Sequence, residues 1–233
     1  VATSVVTDQF NRMNHIQQLK INGRSVLKRP APAAREGSLV LLHGYGADEY
    51  DLMGLAPFFS EKLDILCIRA PGATPFGGAS WFDIDMNAQG DLRFNADQAL
   101  ASGGWVIELI AELTKSEDIP AGKLILGGFS QGASISMLVA LMQPLLIKAL
   151  LVMSGRLTQG ADALIKQKDL LKQLPVFAGH GIQDQVIPIS YGREIVSFWE
   201  TLPVELTHHE YAMGHEINQA ELADIQIWMD QLI

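Results

Sequence analysis

The order of apolar runs along this chain predicts an α/β fold: a mostly parallel central sheet with helices on both faces and an N-terminal antiparallel hairpin. Three observations carry the prediction. Leu39-Val40-Leu41-Leu42, Leu124-Ile125-Leu126, Ala149-Leu150-Leu151-Val152-Met153 and Val176-Phe177-Ala178 are continuous apolar runs of strand length, the pattern of strands buried on both faces. Between them apolar residues recur at helical spacing, and strands that alternate with helices build parallel sheets. Ahead of them Asn22-Gly23 separates two partly alternating segments, and a two-residue hairpin turn needs the positive φ that Asn and Gly adopt most readily.

Taken in order, residues 16–21 and 25–28 form the hairpin, both as edge strands, and Pro30-Ala31-Pro32 ends it, so residues 1–30 read as a hairpin extension. The Leu39 run leads into His43-Gly44-Tyr45-Gly46 and a helix expected over about residues 49–62. A strand around Ile65 follows. Residues 71–95 make a long connection rich in glycine and aromatics, and compact domains seldom keep such loops without a use for them. Val106, Leu109, Ile110 and Leu113 then repeat as a helix, after a Ser102-Gly103-Gly104 that suits a helix poorly. Beyond the Leu124 run, Ile135, Leu138, Val139 and Met142 give a second helix. Helices are also expected near residues 161–174, at Ile195, Phe198, Trp199 and Leu202, and at Leu222, Ile225, Met229 and Leu232, with a last strand over residues 204–211. No repeat, low-complexity tract or linker interrupts the series. Residues 1–233 read as a single domain.

The 48% hydrophobic and 18% charged content suits a globular chain with a sizeable core. No apolar run reaches membrane-spanning length. The formal charge of −9 opposes nucleic-acid binding, which needs a basic surface, so no nucleic-acid partner is expected. Val1 to Arg12 lack the basic end and apolar stretch of a secretory signal, although a chain that begins at Val1 leaves a removed segment open. The single cysteine, Cys67, cannot form an internal disulfide and lies on an apolar strand. Together these place the protein in the cytoplasm.

Chemistry concentrates at Gly127-Gly128-Phe129-Ser130-Gln131-Gly132. Gly128 to Gly132 fit G-x-S-x-G, in which a serine occupies a sharp turn from strand to helix, and the required strand and helix flank it. A serine hydroxyl needs a positioned base, and the base needs an orienting carboxylate. In open α/β sheets such groups sit beyond the carboxyl ends of strands, in the order serine, acid, histidine. The loop after the Val176 strand holds one carboxylate, Asp184. The loop after the last strand holds His215, between a glycine and a helix start. His208 and His209, adjacent on a strand, point to opposite faces. His180 reads as structural. Backbone N–H groups of Tyr45 and Gln131 are the expected pair of oxyanion donors, one from the Gly-rich loop after an early strand and one from the start of the helix after Ser130. Gly44-Tyr45-Gly46 fails as a dinucleotide motif because Glu49 stands at its sixth position, no Gly-Lys-Ser/Thr exists, and Met213 breaks a zinc-protease pattern after His209-Glu210. No cofactor and no metal is expected.

With these residues assembled, the chain resembles the phospholipase/carboxylesterase family of α/β-hydrolases, which includes acyl-protein thioesterases and small bacterial carboxylesterases. The resemblance runs from Ser38 to about Ile227. It rests on Leu41-Leu42-His43-Gly44-Tyr45-Gly46, on Ser80-Trp81-Phe82-Asp83, on the Ser130 elbow, on His180-Gly181 with Asp184 and Val186 to Pro188, and on Gly214-His215-Glu216. It implies an α/β-hydrolase fold, a Ser130–His215–Asp184 triad, and oxyanion amides at Tyr45 and Gln131. It further implies that residues 71–95 border the acyl pocket, with Trp81 as its wall beside Phe76, Val186 and Met213. The expected activity is a serine carboxylesterase acting on short- to medium-chain acyl esters through an acyl-enzyme. A thioesterase or lysophospholipase is the alternative, and a non-catalytic binding protein of this fold a remote one. The expected partner is a small acyl ester, with a homodimer open. The segment Met86-Asn87-Ala88-Gln89-Gly90 does not align with the family pattern.

Overall fold

The computed structural model describes residues 16–86, 92–117, 119, 120 and 122–233. Strand β1 (Gln17–Ile21) turns through Asn22 and Gly23, at φ of 50° and 80°, into β2 (Arg24–Arg29). Strands β3 (Gly37–Leu42) and β4 (Leu63–Ile68) follow. Residues 71–95 carry four short strands, β5 (Gly72–Ala73), β6 (Ala79–Ser80), β7 (Ile84–Met86) and β8 (Leu92–Phe94). The remaining strands are β9 (Leu124–Phe129), β10 (Ala149–Met153), β11 (Pro175–Gly181) and β12 (Glu205–Tyr211). The helices are α1 (Ala96–Ser116), α2 (Gln131–Met142), α3 (Ile189–Glu200) and α4 (Gln219–Asp230).

An eight-stranded sheet runs in the order β1-β2-β4-β3-β9-β10-β11-β12. From β4 to β12 every neighbour is parallel, and the hairpin joins antiparallel through β2 and β4. Of the two hairpin strands only β1 is therefore at an edge, whereas the sequence reading had both there. β2 is buried because β4 pairs with its far side.

Successive residues of the central strands feed opposite layers, as the period of two requires. Val40, Leu42, Val176 and Ala178 pack with Val106 and Leu109 of α1, Leu138 of α2 and Trp199 of α3. Leu39, Leu41 and Phe177 pack on the other face with Leu52, Ile225 and Trp228. α2 is buried all round from Gln131 to Leu141, so it is a core helix rather than an amphipathic surface one. α1 runs unbroken through Ser102-Gly103-Gly104, with Gly103 against Leu138 and Met142 of α2. That contact offsets the weak helix propensity of the three residues.

Two expected helices are shorter and tighter. Residues 49–62 hold a single 3₁₀ helix, Leu52–Phe58, with Pro57 inside it; a proline lacks the N–H that an α-helix would use there. Residues 161–174 hold two 3₁₀ turns, Ala161–Leu164 and Lys168–Leu171, with one buried residue each, too little apolar surface to seat a long helix. Among the described residues no helix is long and apolar enough to cross a membrane.

The chain passes from β3 to β4 on one side and reaches β9 on the other. Strand order therefore reverses between β3 and β9, where open α/β sheets form their functional crevice.

Candidate active site

β9 ends at Phe129, α2 begins at Gln131, and Ser130 alone makes the corner at φ 56° and ψ −116°. A non-glycine residue in that region carries strain of order 1–3 kcal/mol, which surrounding contacts must hold. Here the Ser130 N–H donates to the Met153 carbonyl at 2.9 Å, and the Ser130 carbonyl accepts from the Ser134 N–H at 3.2 Å. A Cβ at Gly128 would overlap the Gly132 backbone, and one at Gly132 the Leu42 carbonyl. Both motif glycines thus let the corner close against β3 and α2.

Asp184 lies beyond β11 and His215 beyond β12, at the carboxyl edge of the sheet. His215 Nε2 is 2.9 Å from Ser130 Oγ, and His215 Nδ1 is 2.6 Å from Asp184 Oδ2. An ionised carboxylate only accepts, so Nδ1 carries the ring proton and Nε2 is left to accept from the serine hydroxyl. The other Asp184 oxygen, Oδ1, accepts the amides of Val186 and Ile187, each at 2.8 Å. These bonds compensate the burial of the carboxylate and aim Oδ2 at the imidazole. The His215 ring rests against Phe129, centroids 4.8 Å apart. Buried His180 donates from Nε2 to the Ile187 carbonyl at 2.8 Å and so braces the acid's loop.

The Tyr45 amide follows β3, beside β9, and the Gln131 amide opens α2, where no helical carbonyl lies a turn earlier to accept from it. Among the described residues neither amide has a backbone partner. His43, before this loop, is buried, which pushes its imidazole below the ordinary histidine range. Its Nε2 accepts the Ala70 N–H at 3.1 Å and its Nδ1 lies 2.7 Å from the Gly44 carbonyl, so Nδ1 donates. It shapes the loop and stays neutral.

A cavity of about 250 Å³ opens at Ser130 and His215. Tyr45, Phe82, Ile84, Phe94, Phe129, Arg156 and Val186 line it, with Gln131, Ser134 and Asp51. Burial pushes the Asp51 carboxyl above its usual range. Of the four expected pocket residues, Val186 alone is in the wall. Trp81 is not: it is 2% exposed and lies beneath. Its indole N–H donates to the His43 carbonyl at 2.8 Å and its backbone N–H to Gln131 Oε1 at 2.8 Å. Phe82, the next residue along, faces the cavity instead. Phe76 is 98% exposed on a loop tip, and Met213 is buried under the β12 loop, where its carbonyl accepts the Gln183 N–H at 3.0 Å. Ile84, Phe94 and Arg156 are wall residues that the sequence reading missed; Phe82 stood inside the Ser80-Trp81-Phe82-Asp83 segment that it did single out. Residues 87–90 of the unaligned segment lie outside the described residues. Among the described residues no group of three or more His, Cys, Asp or Glu side chains is placed to hold a metal ion.

The family model for phospholipases and carboxylesterases matches residues 26–233. Acyl-protein thioesterase 1 of Kluyveromyces lactis is 31% identical over 224 residues, covering 89% of this chain and 96% of that protein. Acyl-protein thioesterase 1 of Yarrowia lipolytica is 28% identical over 218 residues, with 88% and 95% covered. The Bacillus cereus carboxylesterase structure superposes with a TM-score of 0.77 over 90% of this chain and 95% of that one, at 20% identity.

Proposed function

The chain belongs to the phospholipase/carboxylesterase family, a hydrolase of the serine esterase type, and from that premise we propose that it cleaves short- to medium-chain acyl esters through an acyl-enzyme on Ser130. The observation that carries the reading is the continuous relay of Ser130 Oγ, His215 and Asp184, with links of 2.9 and 2.6 Å.

In this reading the Ser130 oxygen attacks the ester carbonyl carbon while its proton passes to His215 Nε2. Asp184 holds the imidazole in the required tautomer and balances the imidazolium that forms. The carbonyl oxygen, now an anion, accepts from the Tyr45 and Gln131 amides, and removing one such donor typically costs 10²–10³ in rate. Collapse breaks the bond to the alcohol, which leaves with the proton from Nε2. Water then attacks the acyl-Ser130 ester, gives its proton to Nε2, and releases the acid as Ser130 recovers its hydrogen.

The same steps serve a thioester, and the names of the Kluyveromyces and Yarrowia relatives favour that second reading. Fluorophosphonate labelling with peptide mapping tests the shared chemistry: label on Ser130 is expected, and active protein labelled elsewhere would sink it. A chain-length series of p-nitrophenyl esters beside acyl-CoA and lysophospholipid separates the leaving groups.

A further inference from the structure

The cavity at Ser130 does not end at the reacting atoms. Phe82, Phe94, Ser134 and Arg156 also line a second chamber of about 410 Å³, to which Arg93 and Thr158 contribute. Among the described residues its walls hold two guanidinium groups and no carboxylate, in a chain of net charge −9.

Arg156 is built into this wall. Its carbonyl accepts from Ser134 Oγ at 2.7 Å, one turn of α2 beyond Ser130, so the helix sets its distance from the nucleophile. Its guanidinium carbon lies 4.4 Å from the ring centre of Phe94 and 4.3 Å from that of Tyr191. Stacking engages the faces of a guanidinium and leaves its N–H edge to bond. Arg24, Arg69 and Arg193 each pair with a glutamate. No described residue forms an ion pair or a hydrogen bond with the Arg156 guanidinium. A further hollow past Arg156 has Asp162 and Glu194 on its walls. An anion entering from Ser130 therefore meets attraction at Arg156 and repulsion beyond it.

We propose that Arg156 is a specificity determinant that receives a carboxylate carried by the substrate, so that the preferred esters are monoanions with the charge a few bonds from the scissile carbonyl. A planar fork of two N–H donors matches the two oxygens of a carboxylate. The proposal rests on the esterase reading and narrows its substrate class.

The alternative is that Arg156 only clamps β8 to α3 through the two rings. Paired substrates distinguish the two. The p-nitrophenyl monoesters of succinate, glutarate and adipate are compared with the matching esters whose far carboxylate is a neutral primary amide. A second pair carries the same groups on the alcohol part. For one side of the ester the ratio of kcat/KM, anion over amide, is expected at about 10- to 100-fold, the worth of charge-assisted hydrogen bonds. Arg156→Gln should bring that ratio to about one, and Arg156→Lys, which keeps charge without the fork, to a value between. Partial unfolding cancels in the ratio, so a pure clamp leaves it unmoved. A ratio near one for both pairs in the parent protein, or one that survives Arg156→Gln, overturns the proposal. Calorimetric titration of Ser130→Ala protein with the intact esters reads the same preference without turnover. Absent turnover with that preference present would count against the esterase reading alone.

Discussion

The side chain of Gln131, first residue of α2, spans two consecutive residues of the cavity loop: it accepts the Trp81 N–H at 2.8 Å and donates to the Phe82 carbonyl at 2.6 Å. The residue whose backbone amide is proposed to bind the oxyanion thus also ties down the segment that supplies the apolar wall.

Gln131→Ala keeps that amide but strands a buried N–H and a buried carbonyl. A stability loss of about 2 kcal/mol is expected, visible as a lower denaturant midpoint. Trp81→Ala should cost more, about 3–5 kcal/mol, as a large buried ring is lost. Because the Trp81 side chain is not in the wall, kcat/KM of that variant should fall by similar factors for acetate and longer esters. A selective loss on long chains would return Trp81 to the pocket.

Ile84, Phe82 and Phe94 line the cavity at Ser130 and are the proposed acyl wall. Each methylene moved from water onto such a surface gains about 0.8 kcal/mol, so kcat/KM should rise about fourfold per carbon until the cavity is full. Ile84→Ala is expected to flatten that slope. An unchanged slope across the p-nitrophenyl series would place the acyl chain elsewhere.

Asp184→Asn retains an oxygen for the Val186 and Ile187 amides but puts an NH₂ opposite His215 Nδ1. The imidazole then turns its lone pair to Nδ1 and cannot take the serine proton. A loss of about 10⁴ in kcat is expected, as in other triads, with stability little changed. Near-normal single-turnover rates would contradict the relay.

Glu221 of α4 is fully buried, and neither of its carboxyl oxygens has a hydrogen-bond partner among the described residues. Burial raises its carboxyl from 4.5 to about 8. The folded state therefore keeps a proton that the unfolded chain releases first. Stability from this group is complete below about pH 4.5 and is lost as pH rises through about 8, with a slope of up to about 1.4 kcal/mol per unit. Glu221→Gln should flatten the profile across that window and be the more stable protein at its alkaline end. Parallel urea midpoints for the two proteins across the window would refute the assignment.

The elbow could be read from the chain because its constraints are local: two glycines, a serine between them, a strand before and a helix after. Asp184 and His215 followed from strand ends and chain order. Trp81 shows where that reasoning stopped. Trp81 and Phe82 are both apolar and both buried, and only the tertiary bonds to His43 and Gln131 decide which lies beneath the cavity and which lines it. Residues 49–62 were expected as a helix, yet they hold only a 3₁₀ segment, Leu52–Phe58, with Pro57 inside it. Arg156 sits in no motif, and its surroundings come from β8 and α3, distant in sequence.

The relay reaches across 85 residues from Ser130 to His215, and the base belongs to the last strand-to-helix loop described. During synthesis the proposed nucleophile therefore leaves the ribosome well before the proposed base. In that mechanism a chain arrested between them has nothing to take the serine proton, so hydrolysis is expected only once β12 has docked beside β11. In the proposed mechanism, acyl transfer doubles as a report that the C-terminal side of the sheet has closed.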